Sequence, residues 1–229
     1  MPDHVPGLFV TGTDTEVGKT YVAALIARSL AASGYRVGVY KPAASGCWLE
    51  AGVLVSDDAV TLWEAARRPG DLQHVCPQCF AAPLAPHLAA REEGRRVDEA
   101  LLRDGLKYWQ DRSDIVLVEG VGGLMSPMGD DEYVADLAHD LAMPLIVVSR
   151  NVLGTINQTL QTLITASVFR DGLTVAGVVL NEFDVSEEDI SRKTNRAELA
   201  ARCIPPLLTE VAPDAKDFAS HVDWFGLAR

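Results

Sequence analysis

The sequence predicts an α/β protein with a mostly parallel central sheet flanked by helices, and three observations support that reading. Ile115–Val118, Leu145–Val148 and Val175–Leu180 are continuous apolar runs rich in β-branched residues, the composition of strands covered on both faces. A long helical segment separates the last two, and strands that alternate with helices pair in parallel through right-handed crossovers. The apolar run Leu8-Phe9-Val10 leads through a turn bounded by Gly12 and Gly18 into a helix opening at Thr20-Tyr21-Val22.

A chain of 229 residues, 48% hydrophobic and without a linker, is expected to form a single domain over residues 1–229. Its formal charge is -12, from 32 acidic against 20 basic residues, which leaves no basic stripe for nucleic acid or an anionic membrane. No apolar run reaches the ~20 residues that span a bilayer, and no basic-then-apolar leader opens the chain. Four cysteines do not make a disulfide framework, so a reducing, cytoplasmic setting is expected.

The elements follow in order. A helix is expected over Thr20–Ser33 with Gly34 at its C-cap, then a strand over Arg36–Tyr40 that Lys41-Pro42 ends. Residues Ala43–Val55 read as a loop, tightest at Ser45-Gly46, before a short helix from Asp57-Asp58 to Ala66 capped by Asp57 or Ser56. Pro69–Cys79 reads as irregular, and a helical piece starts within Phe80–His87 and runs towards Glu93, where Gly94 stops it. One helix is expected over Asp98–Gln110, its apolar face drawn from Leu101, Leu102, Leu106 and Trp109. After the strand at Ile115–Val118 come Glu119-Gly120-Val121-Gly122-Gly123, and further helices are expected over Ile156–Asp171 and Glu187–Arg202. Ala215–Arg229 holds at most a short closing helix.

The strand–glycine loop–helix context is that of a phosphate-binding loop. Backbone N–H groups of Thr13-Asp14-Thr15-Glu16-Val17-Gly18 would form an anion-binding concavity, to which the helix N-terminus adds its own unpaired donors. Lys19 would reach the outer phosphates of ATP, and the Thr20 hydroxyl would ligate Mg²⁺. Five residues separate Gly12 from Gly18, where the general pattern has four. A bland reading, a β–α turn with one solvated lysine, is disfavoured by the clean strand before it.

Thr20, Asp58 and Glu119 are the candidate Mg²⁺ shell, since that ion takes hard oxygen ligands and keeps several waters. Residue pattern alone leaves Asp57 and Asp58 interchangeable, either one being equally at home as a first-turn helix carboxylate. Lys41, at a strand's C-terminal end, is aimed at the same pocket, and Ser45 either adds a hydroxyl there or bonds its own backbone. Cys76-Pro77-Gln78-Cys79 has the spacing of half a zinc site, but neither Cys47 nor Cys203 completes it by spacing. His87 reads as a helix-start histidine, and the four tryptophans are not interleaved with basic residues.

These motifs together resemble the dethiobiotin synthetase family. The resemblance rests on Gly12–Thr20, Tyr40-Lys41-Pro42, Ser45-Gly46, Asp58-Ala59, Phe80–His87, Val118–Gly123 and Leu153-Gly154-Thr155-Ile156-Asn157, and spans Phe9 to about Glu210. It implies a P-loop NTPase-like fold and ATP-dependent closure of 7,8-diaminononanoate with CO₂ to dethiobiotin, ADP and phosphate, through a phosphorylated carbamate. Carried over by position, Lys19 and Thr20 resemble the phosphate lysine and the metal hydroxyl. Glu16 resembles the loop carboxylate near nucleotide and diamine, with Thr15 and Gly120 beside the substrate. Lys41 resembles the lysine over the carbamate, with Ser45 next to it, and Asp58 rather than Asp57 resembles the metal carboxylate beside Glu119.

The resemblance further implies a homodimer in which Leu153, Gly154, Thr155, Ile156 and Asn157 receive the substrate carboxylate from across the interface. Asn181 resembles the residue that reads the base, and Pro206, Leu207 and Glu210 belong to the segment packed around it, although Thr209 and Ala212 replace the family's glycine and proline. Two rivals share the loop style. A cobyrinate-synthase-type ligase would carry a C-terminal glutaminase domain, for which the chain to Arg229 is expected to leave no room. A partitioning-type ATPase would carry an extra lysine early in the loop, absent from Gly12-Thr13-Asp14.

Overall fold

The computed structural model describes residues 5–182, 189–218 and 220–229. In chain order the elements are β1 (Gly7–Gly12), α1 (Lys19–Ala32), β2 (Val37–Tyr40), β3 (Ala43–Ala44), β4 (Trp48–Glu50), β5 (Val53–Val55) and α2 (Asp57–Ala65). They continue with α3 (Leu72–Val75), β6 (Gln78–Cys79), α4 (Pro86–Glu92), α5 (Glu99–Asp104), α6 (Lys107–Gln110), β7 (Ile115–Gly123) and α7 (Val134–Leu141). The last are β8 (Leu145–Arg150), α8 (Thr155–Val168), β9 (Val175–Asn181), α9 (Arg192–Arg202), β10 (Leu207–Val211) and α10 (Trp224–Leu227).

Six strands form the main sheet in the order β10-β9-β8-β1-β7-β2, every pair of them parallel. The expected α/β class and parallel sheet are therefore observed. All six residues of β1 and all four of β2 are buried, as strands covered on both faces require. Helix α1 packs on β1, β2 and β7 and is covered in turn by α2 and α10, which explains why it is apolar or small nearly all round. The chain lays down β1, then β2 and β7 on one side, then β8, β9 and β10 on the other. The order thus reverses at β1, and ligands of open α/β sheets collect at the carboxyl ends beside such a reversal.

Several elements depart from expectation. The loop expected over 43–55 contains β3 and the antiparallel β4–β5 hairpin. Its two-residue turn, Ala51-Gly52, has positive φ at both positions (49° and 86°), the primed geometry that fits a hairpin's twist, reached without an Asn-Gly or Asp-Gly signal. Residues 69–79 hold α3 and β6, and helix α4 starts only at Pro86, leaving Phe80–Ala85 outside it. The single helix expected over Asp98–Gln110 is two, α5 and α6. The Tyr40 hydroxyl reaches the carbonyls of Leu101 (2.9 Å) and Leu102 (3.1 Å), and Gly105 passes so close that a Cβ there would lie 2.3 Å from that oxygen. Helix α7 and strand β10 were not anticipated. The start expected at Glu187 for the penultimate helix lies outside the described residues, and α9 is observed from Arg192.

Candidate active site

The turn after β1 is held from both sides. The Thr13 N–H donates to the Val148 carbonyl (2.9 Å), and the Asn181 side-chain amide donates to the Val17 carbonyl (3.0 Å). Glu16 and Gly18 take positive φ (57° and 87°), and Gly18 is the N-cap of α1. A Cβ on Gly12 would lie 2.7 Å from both the Asp14 carbonyl oxygen and a Val17 methyl, so the loop closes only over glycine. Inside it Lys19 is buried, its Nζ donating to the Asp14 carbonyl (3.0 Å). Burial holds the Lys19 ammonium below its ordinary pKa, although Glu119 pulls the other way and Lys41 adds to the depression.

Strand register brings the other charges to the same level. Val10 pairs with Glu119, and Tyr40 pairs with Val118, so the residue after Tyr40 arrives beside Glu119. That residue is Lys41. Its Nζ donates to Glu119 at 2.7 Å and pairs with Asp58 at 2.9 Å, the latter from the first turn of α2. The Thr20 hydroxyl donates to the same Glu119 oxygen at 2.8 Å. Burial alone would lower the Lys41 pKa, but Glu119 and Asp58 outweigh it and raise it. Burial would likewise raise Asp58, yet Lys41, Thr20 and Lys19 together hold that carboxyl below the ordinary range. Glu119 is 1% exposed, and its second oxygen has no partner among the described residues.

A cleft of about 490 Å³ opens on this cluster and is lined by Thr15, Glu16, Gly18, Lys19, Thr20, Lys41, Ser45, Asp58 and Glu119, all singled out in the sequence. The structure also places Tyr21, Ala44, Thr61 and Val121 on its walls, which sequence reasoning did not, together with Gly122, one of the glycines that follow Glu119. Thr61 had a signal: it stands three residues after Asp58 on α2, hence on the same helix face. Asp57 turns away and accepts from the Trp48 indole (2.8 Å), and the cap of α2 is Ser56. Gly120 lies behind the cleft, buried where a Cβ would meet Val134 at 2.9 Å.

Other expected residues lie elsewhere in the chain. Thr13 and Asp14 line a second cavity, about 450 Å³, with Ser126 and the α8 residues Gln158, Gln161, Thr162 and Thr165. Leu153, Gly154 and Asn157 are exposed around the start of α8, where Ile156 is half-buried and the buried Thr155 hydroxyl pairs with Ser149 (2.6 Å). Asn181 is buried at the end of β9, its amide oxygen without a partner among the described residues. Pro206, Leu207 and Glu210 lie in or beside the neighbouring edge strand β10. Burial raises the Glu210 pKa, against Arg196 at 3.2 Å. The Thr209 side chain is buried, its hydroxyl within reach of the Glu210 carbonyl (3.2 Å) and of Ser220 (3.0 Å). Among the described residues no three His, Cys, Asp or Glu side chains are grouped to hold a metal by themselves, and no helix is long and apolar enough to cross a membrane.

A family profile described as an AAA domain matches residues 6–215. Among curated relatives, the chain is 44% identical over 214 residues to the ATP-dependent dethiobiotin synthetase BioD of Rhodopirellula baltica, covering 89% of this chain and 82% of that protein. It is 45% identical over 194 residues to the enzyme of the same description from Anaeromyxobacter dehalogenans, covering 85% and 84%. The Thermodesulfovibrio yellowstonii counterpart is 36% identical over 221 residues, 91% of each chain. Among solved structures, a ParA family ATPase from Chlorobium tepidum superposes with a TM-score of 0.54 at 16% identity, over 93% of this chain and 85% of that one. Chloroplast FtsY from Physcomitrella patens gives 0.56 at 15% identity, the match covering 99% of this chain and 65% of FtsY. At such identities these two share the fold alone.

Proposed function

The chain belongs to the dethiobiotin synthetase family, and from that membership we propose how its own residues carry the reaction. It is an ATP-dependent ligase that closes 7,8-diaminononanoate with CO₂ to dethiobiotin, with release of ADP and phosphate. The observation that carries the residue assignment is the Lys41 ammonium held between Glu119 and Asp58 in the cleft that also contains Lys19.

In this reading one domain, residues 1–229, does all the chemistry. The loop N–H groups of Thr13–Gly18 cradle the phosphates of ATP, and Lys19 leaves the Asp14 carbonyl to meet them. Lys41 steadies the carbamate formed by an amine of the substrate with CO₂, with Ser45, Thr15 and Glu16 around it and Gly120 making room behind. Its ammonium then faces charge that grows as the phosphoryl group transfers, and the second amine attacks the activated carbon. Lysine charge suits the step because carbamate and phosphate are both anions. No side-chain nucleophile is needed, so alignment supplies much of the rate.

Thr20, Asp58 and Glu119 would hold Mg²⁺. The donor set fits, being two carboxylates and a hydroxyl with one Glu119 oxygen unpartnered among the described residues. Held by these groups, Mg²⁺ would supply positive charge to offset that on the transferring phosphoryl group. Asn181 already donates its amide N–H to Val17, so its remaining acceptor suits the amino group of adenine, with Pro206, Leu207 and Glu210 beside the base.

The homodimer rests on α8. Its buried face carries Thr155, Thr159, Thr162 and Ala166, while Ile164 and Val168 are 61% and 69% exposed, and Leu153, two residues before its start, is 81% exposed. A helix with hydroxyls inward and aliphatics outward is made to be covered. A second copy on that face would bring Leu153–Asn157 to the partner's substrate. The deciding experiment is mass spectrometry of products from the diamine, bicarbonate, Mg²⁺ and ATP, each omitted in turn. Dethiobiotin only in the complete mixture is expected, and its absence there would reject the assignment.

A further inference from the structure

We propose that Cys76 and Cys79 form a hydroperoxide-responsive dithiol whose closure to a disulfide slows the ligase by disturbing the segment that carries Lys41 and Ser45. Three of the chain's four cysteines gather in one place that linear spacing does not reveal. The Cys76 and Cys79 sulfurs are 3.6 Å apart, and Cys47, just before the β4–β5 hairpin, lies near enough to affect the Cys79 thiol while its own thiol donates to the Ala44 carbonyl (3.5 Å). Cys79 is partly exposed, whereas Cys76 and Cys47 are buried, so an oxidant meets Cys79 first.

The thiols are laced to the cleft by backbone. The Lys41 N–H donates to the Val75 carbonyl (2.7 Å), immediately before Cys76. Strand β6, which ends at Cys79, pairs with β3, and the Phe80 N–H donates to the Ala44 carbonyl (2.9 Å). The Cys47 N–H returns to the Phe80 carbonyl (2.9 Å). A disulfide needs the sulfurs at about 2.05 Å, so closure draws Cys76 and Cys79 together and pulls on the residues between Lys41 and Cys47. The effect on turnover rests on Lys41 acting in the cleft; the sulfur pairing does not.

The chemistry balances with one hydroperoxide. The Cys79 thiolate attacks the peroxide O–O bond, which yields a sulfenic acid and, for hydrogen peroxide, water. The Cys76 sulfur then attacks the Cys79 sulfur, the S–O bond breaks, and the departing hydroxide leaves as water with the Cys76 proton. Two electrons pass from the sulfurs to the peroxide oxygens. Cys47 alone would lower the Cys79 pKa, but Cys76 at 3.6 Å and burial push it up to about 12. Oxidation is consequently slow, so the pair closes under sustained peroxide and is reopened by excess dithiol. Such a pair is a latch, not a disulfide-exchange catalyst.

The test exposes the reduced full-length protein to hydrogen peroxide, alkylates free thiols and maps the peptides, with turnover measured before and after dithiothreitol. A Cys76–Cys79 cross-link lighter by two hydrogens is expected. With it, turnover should fall by about tenfold, KM for ATP should be unchanged, and dithiothreitol should restore activity. Cys76→Ser and Cys79→Ser should each keep their turnover in peroxide. Full alkylation of both thiols, a Cys47–Cys79 cross-link instead, or a Cys76–Cys79 bond without loss of turnover would overturn the proposal. If Lys41→Ala proves fully active the cleft assignment fails, while the peptide map still decides the pairing.

Discussion

The cleft and the outer face of α8 break the ordinary rule of burial in opposite directions. In the cleft Lys19, Lys41 and Glu119 are buried charges; on α8 the hydroxyls of Thr155, Thr159 and Thr162 are buried while Ile164 and Val168 face water. Charge in a low-dielectric site is costly unless paired, and exposed aliphatics forgo the gain of burial. On the reading proposed above, each inversion marks a place for a partner: an anionic nucleotide with its cation at one, a second subunit at the other. The difference is testable because the first should respond to ligand and the second to protein concentration.

The largest effect expected is on the cleft side. Lys19→Ala and Lys41→Ala should each lower turnover by about 10²–10³-fold, the range for removing one preorganised charge aimed at a transition state. Circular dichroism should show both variants folded. For Lys41→Ala the single-turnover rate should fall as far as the steady-state rate; a normal single-turnover rate would place Lys41 outside the chemical step. The double substitution Ile164→Glu with Val168→Glu should act on the other side alone. Sedimentation should show a monomer, and turnover should fall because Leu153–Asn157 no longer meet a partner's substrate. A fully active monomer would remove the shared site.

How legible these two regions were differs for a physical reason. The phosphate loop, Lys41 and Glu119 were readable because each follows a buried apolar run and precedes glycines or a proline, although β7 does not end at Glu119, as the sequence suggested, but runs through those glycines to Gly123. What the sequence could not supply was the register that sets Tyr40 opposite Val118 and so puts Lys41 on Glu119. Helix α7 was missed because it follows an irregular, glycine- and proline-containing stretch and has Tyr133 at its cap. There the Asp136 carboxylate accepts the Tyr133 N–H (2.9 Å), a closing bond from an uncommon cap residue. Strand β10 is short, and the sequence marked Pro206, Leu207 and Glu210 only as part of a segment around the base; its strand character comes from pairing with β9. The cysteine cluster is the same lesson in tertiary form: Cys47 joins Cys76 and Cys79 only through the β3–β6 pairing.

A smaller effect is expected where the cleft meets the base. Asn181→Ala loses the hydrogen bond to Val17 and the free acceptor together, so it should raise KM for ATP by about tenfold, the scale of one hydrogen bond to a neutral partner. If the acceptor reads the amino group of adenine, the variant should also discriminate less between ATP and GTP. An unchanged ATP/GTP ratio would leave Asn181 only as the anchor of the loop.

The smallest effect concerns stability, and it sharpens the contrast between a charge that waits for ligand and one already paired. The folded-state pKa of Lys19 is depressed below the ordinary 10.5, so the folded protein binds that proton less well than the unfolded chain. Stability should then rise with pH through the window from the depressed value up to 10.5. Lys41 has the opposite sign: its pKa is raised, so its contribution is complete below 10.5 and is lost as pH climbs through the raised value. Asp58, depressed below 3.8, contributes above that value and loses its contribution as pH falls through the depressed one. Lys19→Met should therefore melt a few degrees above wild type at neutral pH without ligand, and the gap should shrink as pH approaches 10.5. ATP with Mg²⁺ should reverse the order, because it stabilises only the protein that binds it. Differential scanning fluorimetry across pH, with and without nucleotide, reads all of this. A Lys19→Met protein that melts lower than wild type under every condition would mean the loop lysine is already paired well enough to hold the fold, with no charge left waiting for phosphate.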